Sequence, residues 1–268
     1  MHDFAKVVAA ETFKLRRQRS TLIVLILVAV LALVMFVALE FAARRDWIGV
    51  PSGHFVAASV IGWMAIIMII LAVVVTSFLV SQEFALGTIK STWVRPVTRG
   101  QWFSAKIYTA GVVMSELFVL AVVVTVALAA TRLGFADLTE KGYTIHTSGE
   151  MTRRLIQTIA LTLWALWAVT AFVAMLSAMF RHPGGAIAAG LGAGVAMIVL
   201  SAFPPIRPLL LSAYLSLPME QMIAMSKGLP LPLEWGQLIW RTVAGAGVWM
   251  IVAFFIGQRI ISKKEITA

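Results

Sequence analysis

The chain has 268 residues, of which 60% are hydrophobic and only 13% charged, with a formal net charge of +10 and a mean hydropathy of +0.93. A soluble domain is about 45–50% apolar and about 25% charged, so these values exclude an ordinary water-soluble globule and set lipid as the solvent. Cysteine is absent and the four histidines (His2, His54, His146, His182) are scattered, which excludes disulfides and cysteine nucleophiles and gives no metal-ligand spacing.

No Pro/Ser-rich linker, charge run or low-complexity tract divides the chain, so residues 1–268 read as one membrane domain. Net positive charge would suggest nucleic acid in a soluble protein. In a membrane protein its placement along the loops carries the meaning, and no nucleic-acid partner is expected.

Residues 1–20 come first. In DFAKVVAAETFKLRRQRS, Phe4, Val7, Val8 and Leu15 share one side of a helical wheel, Lys6, Arg16 and Arg17 lie elsewhere, and Phe13 departs from the pattern. The segment is expected to lie as a helix on the cytoplasmic leaflet. Its cations would meet anionic lipid head groups, at about 1 kcal/mol each. The apolar run that follows is longer than a signal-peptide core, and Glu40 stands where cleavage needs a small residue, so it reads as an uncleaved span.

A helix needs about 20 apolar residues to cross a hydrocarbon core about 30 Å thick. Six segments qualify: residues 21–41, 55–80, 105–131, 155–179, 184–202 and 237–256. They lack the two-residue alternation of barrel strands, and helices satisfy their own backbone in lipid. The expected fold is therefore an all-α polytopic membrane protein with six transmembrane helices. The N-terminal arm carries Lys6, Lys14, Arg16, Arg17 and Arg19, against Arg44 and Arg45 in the first outer hairpin. The positive-inside rule then places both termini in the cytoplasm.

Residues 82–104 break the apolar pattern between spans two and three. Gly87 costs about 1 kcal/mol in a helix and permits a bend. Pro96 forces Arg95 out of helical geometry, so a surface helix is expected to end near Trp93. Thr98 and Gln101 match a capping box, from which a new helix runs into the third span. Trp93 and Trp102 are expected at the head-group level. Three or four residues would suffice to join two antiparallel helices. The extra length suits a rigid lever shown to a cytoplasmic partner; the alternative is a positively charged loop with incidental caps.

Glu116 is the one ionisable residue deep in a span, about eleven residues into the third helix. A carboxylate there costs about 2.5–3.5 kcal/mol on insertion scales and should face protein or water. It reads either as a substrate contact or gate in the translocation path, or as a packing residue hydrogen-bonded to Gln157 or a Thr of the fourth span. Gly190 and Gly194 form a G-x-x-x-G in the fifth span and suit close helix packing, within the chain or across a dimer. Trp164, Trp167 and Trp249, with the methionines, could make an apolar binding wall or core packing. Residues 203–236 are apolar but broken by prolines. They are expected to be external, either lying in the interface or dipping back into the protein as short helices.

Here a resemblance enters. E-F-x-x-G-T-x-K followed by R-P-V-T-R-G-x-W-x-x-x-K, with Glu83, Gly87, Thr88, Pro96, Val97, Thr98, Arg99 and Lys106 as the matches, resembles the signature of type-2 ABC transporter permeases. The plan of basic surface helix, six spans and hydrophobic loop before the last is similar too. The resemblance implies a dimer of permeases, identical or not, bound to two copies of a separate ATPase. The connection at 82–104 would be a coupling helix docked on that ATPase. Glu83, Gly87, Thr88, Arg95, Pro96 and Arg99 would form the coupling site, with Glu83 and Arg99 holding the lever by charge contacts and Gly87 setting its angle. The Arg181-His182 turn would be a minor contact, and the second and fifth spans would line the central cavity.

No G-x-x-x-x-G-K-[ST] occurs, so ATP and Mg²⁺ would sit on the partner, and the chain itself is not expected to be an enzyme or to hold a cofactor or metal. The expected function is the membrane subunit of an ATP-driven exporter in the plasma membrane, moving a hydrophobic or amphipathic cargo: a drug, an antimicrobial peptide or a lipid-like molecule. The alternatives are an ATPase-coupled anchor or signalling subunit without transport, a membrane enzyme, and a secondary transporter using Glu116.

Overall fold

The computed structural model describes residues 2–17, 19–45, 52–87, 98–140 and 143–264. Among them are eight α-helices: α1 (His2–Arg16), α2 (Arg19–Arg44), α3 (Gly53–Ala85), α4 (Arg99–Arg132), α5 (Ser148–Met179), α6 (Pro183–Leu200), α7 (Leu211–Ser226) and α8 (Trp235–Lys263). Six of them, all but α1 and α7, are long and apolar enough to cross a membrane. The fold is an all-α polytopic membrane fold.

Burial sorts the spans into inner and outer layers. Helices α3 and α5 bury over half of their apolar windows, whereas α2, α6 and α8 bury under a fifth. In α2 the buried positions are Val28, Ala32, Phe36, Glu40 and Ala43, a narrow stripe at i+4 and then i+3 spacing. The rest of α2 shows Leu22, Ile23, Ile26 and Val34 outward, as a lipid-facing helix should. Glu40 on this stripe is paired with Arg44 one turn on, at 2.7 Å.

Small residues let the layers approach. The Trp167 ring of α5 lies across Gly111 of α4, where a Cβ would come within 2.7 Å of it. Gly190 of α6 seats Val73 of α3 in the same way, and Gly194 faces Ile69 one turn on. The G-x-x-x-G face therefore packs on α3 of the same chain.

Two further features complete the bundle, the first of them beyond the sequence pattern. A short antiparallel hairpin, β1 (Leu138–Glu140) with β2 (Tyr143–His146), connects α4 to α5. The proline-broken segment holds a 3₁₀ turn (Arg207–Leu209) and then α7, whose buried Leu211, Leu215, Met219, Met222 and Met225 form one helical face. That face joins the main core with α3 and α5.

Candidate functional site

The ends of α3, α4, α5 and α8, together with α1, meet at the end of the bundle that carries both termini. Entry to the connection between α3 and α4 is set by a helix stop. Helix α3 ends at Ala85 with Leu86 as its cap, and Gly87 follows at φ +67°. Leu86 N–H donates to Gln82 O at 2.9 Å and Gly87 N–H to Phe84 O at 3.3 Å. This corrects the expectation of a bend at Gly87 inside a continuing helix: the glycine adopts the left-handed conformation that terminates one. Exit from the connection is the expected capping box. Thr98 accepts from Gln101 N–H at 3.2 Å, while the Gln101 side chain accepts from Thr98 N–H at 3.1 Å. Residues 88–97, with Thr88, Arg95, Pro96 and Trp93, lie outside the described residues.

Beside these two ends sits a buried ion cluster. Thr98, Trp102 and Lys106 recur at i+4 and so share one face of α4. Lys106 is 1% exposed. Its ammonium donates to Glu83 Oε1 at 2.5 Å and to Glu11 Oε2 at 2.7 Å. Trp102 Nε1 donates to the other Glu83 oxygen at 3.1 Å, and Lys14 stands 3.9 Å from Oε1. A buried ammonium without a partner costs several kcal/mol, so two carboxylates from two other helices are what permits it there. Trp102 is fully buried in this cluster, where its indole N–H serves Glu83.

A second set of contacts runs outward from the cluster. The Phe84 ring meets Trp102 edge-on at 5.7 Å, and Lys264 Nζ stands over the same ring at 4.0 Å. Lys264 Nζ also donates to Ala178 O at 2.7 Å and Phe180 O at 2.9 Å, at the end of α5. Arg99 Nη1 donates to Ser262 O at 2.8 Å and Lys264 O at 3.3 Å, at the end of α8. Burial, and secondarily the nearby Arg181 charge, push the Lys264 ammonium down to about 8. One turn deeper, Ser77 and Ser177 hydroxyls lie 3.1 Å apart and Ser81 donates to Ser177 O, tying α3 to α5.

Glu116 stands apart from this site, on an exposed face of α4 with Tyr108, Val119 and Val123. The Gln157 oxygen accepts from Arg154 at 3.1 Å. The three tryptophans considered for a binding wall each donate inward: Trp164 to Val243 O, Trp167 to the Ser115 hydroxyl and Trp249 to Leu209 O. Among the described residues no group of histidines and acids could hold a metal ion.

Of the residues marked from sequence, the structure brings Glu83, Gly87 and Arg99 to one end of the bundle. Glu11, Phe84 and Lys264 were not marked, and Lys106 was noted only as a motif match. Lys106 alone carried a signal, being a cation just inside an apolar run that needs an acid.

A family model described as ABC-2 family transporter protein matches residues 7–191, a stretch that begins within α1 and ends within α6. The chain belongs to the ABC-2 transporter family. No curated protein matches it. The protein is thus the multi-pass membrane subunit of an ABC transporter, from a family of permease components that work with an ABC ATPase. In this permease, Glu83, Lys106 and Glu11 lie inside the matched region, whereas Lys264 lies beyond it.

Proposed function

We propose that the permease forms the translocation path of an ATP-driven exporter and takes its power stroke through residues 88–97. Two permease chains, identical or not, pair with two copies of a separate ATPase that holds ATP and Mg²⁺. Both termini and the α3–α4 connection face the cytoplasm of a cell whose plasma membrane holds the complex. The cargo is hydrophobic or amphipathic, in keeping with the apolar spans.

The observation that carries this reading is the buried cluster of Lys106, Glu83 and Glu11. A ten-residue connection held only at its ends would swing freely. Here the entry end is held through Glu83 and Gly87, the exit end through the Thr98 cap and Trp102, and α1 is drawn in through Glu11. A push on residues 88–97 therefore reaches α3, α4 and α1 together. Glu83 and Arg99 hold the lever, and Gly87 sets the direction in which the connection leaves α3.

The test is co-purification of the tagged permease with its ABC ATPase, comparing wild type with Glu83→Ala and Arg99→Ala. A stoichiometric wild-type complex whose ATP turnover drops in both variants is expected. A wild-type chain that captures no ATPase, or variants that turn over ATP like wild type, would overturn the reading.

A further inference from the structure

Lys264 and Arg99 act in opposite directions across the same helix ends. The last turn of a helix leaves carbonyls without intrahelical donors and carries partial negative charge, so a cation placed there is stabilising. Lys264, just past α8, caps the end of α5 through Ala178 O and Phe180 O. Arg99, at the start of α4, caps the end of α8 through Ser262 O and Lys264 O. Between them Lys264 rests on Phe84, the penultimate residue of α3. The residue that opens α4 thus grips α8, and the residue that closes α8 grips α3 and α5.

We propose that the carboxyl-terminal end of α8 is a working part of the coupling unit, with Lys264 and Arg99 as positioning residues that latch the last span to the α3–α4 connection. It rests on the reading of residues 88–97 as the ATPase contact. Helix α8 lies on the outside of the bundle and packs chiefly along α5; its end also rests on the start of α4, with Gly257 against Phe103 and Ile261 buried beside Trp102, and the latch adds polar ties to that apolar contact. With the latch, movement of Arg99 and Phe84 carries Ser262 and Lys264 along. The carbonyls of α5 are joined to the same movement, which links four helices at one end. Arg99, Phe84 and the α5 carbonyls lie inside the matched region, and Ser262 and Lys264 beyond it.

The chain has no cysteines, so one introduced cysteine gives one label site. Val252→Cys reports on α8 and Phe78→Cys on α3, both at exposed positions. The full-length permease with its ATPase is placed in nanodiscs, and spin-label mobility is compared without nucleotide and with ATP, Mg²⁺ and vanadate. Both sites are expected to respond in the otherwise wild-type chain. Lys264→Met should cut the α8 response about fivefold while leaving the α3 response in place, the size of loss expected for a residue on such a contact chain. Lys264→Arg, which keeps the cation, should preserve it. Arg99→Gln removes the other half of the latch and should also depress the α8 response, so the idea stays testable if Lys264→Met misfolds. An intact α8 response in Lys264→Met, or an α8 that stays silent while α3 responds, would overturn the latch. Silence at both sites would sink the ATPase reading beneath it.

Discussion

Lys106 is the residue on which the site turns. Replacing it by Met leaves the Glu11 and Glu83 carboxylates facing one another with the buried ammonium gone. The expected loss is about 3 kcal/mol, typical of removing one partner from a buried pair. Lys106→Met combined with Glu83→Gln should cost clearly less than the sum of the two single changes, because each already breaks the same contact. Thermal unfolding in detergent measures all three, and strict additivity would show that the pair is not coupled. Lys264 offers a second measurement. Its ammonium is lowered from 10.5 to about 8, so between those values the folded protein binds fewer protons at this site than the unfolded chain. Stability therefore rises as pH goes up through that window, and the full burial penalty is present below 8. Arg181 is the charge that acts on Lys264, Arg99 reaches its carbonyl, and α3 and α5 present Phe84, Ala178 and Phe180. The melting temperature of wild type relative to Lys264→Arg should climb from pH 7.5 to 10, since Arg does not titrate there. A flat difference would contradict the burial of Lys264.

At the scale of elements, Gly87 ends a helix through its backbone. Among the described residues a Cβ built on it meets nothing within 4 Å, and its φ is +67°. Any cost of Gly87→Ala is then conformational, about 1–2 kcal/mol for an L-residue in the left-handed region. Gly87→Asn should recover part of it. Lower thermal stability for Ala than for Asn is the expected order, and equal values would mean that the left-handed stop is not maintained. This position also marks what could be read from sequence and what could not. A glycine near the end of an apolar helix fits both a bend and a stop, and only the hydrogen bonds of Leu86 and Gly87 separate them. The capping box was legible because Thr98 and Gln101 lie three residues apart, within the reach of local pattern. Glu11 was not, because it meets Lys106 across 95 residues and two spans. The β-hairpin was hidden by its length, three and four residues, even though Gly142 stands between its strands in the sequence. In the proline-broken segment, the methionine face of α7 was masked by Pro218, which the helix accommodates in its interior.

For the molecule as a whole, six spans place α1 and the end of α8 on one side and the β-hairpin on the other. The proposed orientation puts the hairpin outside the cell. Tyr143 is 80% exposed there, so Tyr143→Cys in the cysteine-free chain should react with a membrane-impermeant maleimide added to intact cells. Arg17→Cys should react only after permeabilisation. The reverse pattern would invert the topology and remove the ATPase contact from the cytoplasm. The layered burial bears on the assembly too. With α3 and α5 inside and α2, α6 and α8 outside, the inner pair fixes the chain's own shape while the outer helices meet lipid or a second permease.

The ion cluster also has an order in time. A ribosome makes Glu11 first, Glu83 next and Lys106 last, so both acids are in place before their base emerges. Until then, the amino-terminal helix meets the end of α3 through the looser Lys14–Glu83 pair at 3.9 Å. Once Lys106 arrives it can close on two waiting carboxylates at once, and the first three spans become a unit while the remaining half of the protein is still being synthesised. A buried lysine that looks costly in the finished permease is thus the last member of its cluster to be made, and it meets two acids that precede it in the chain.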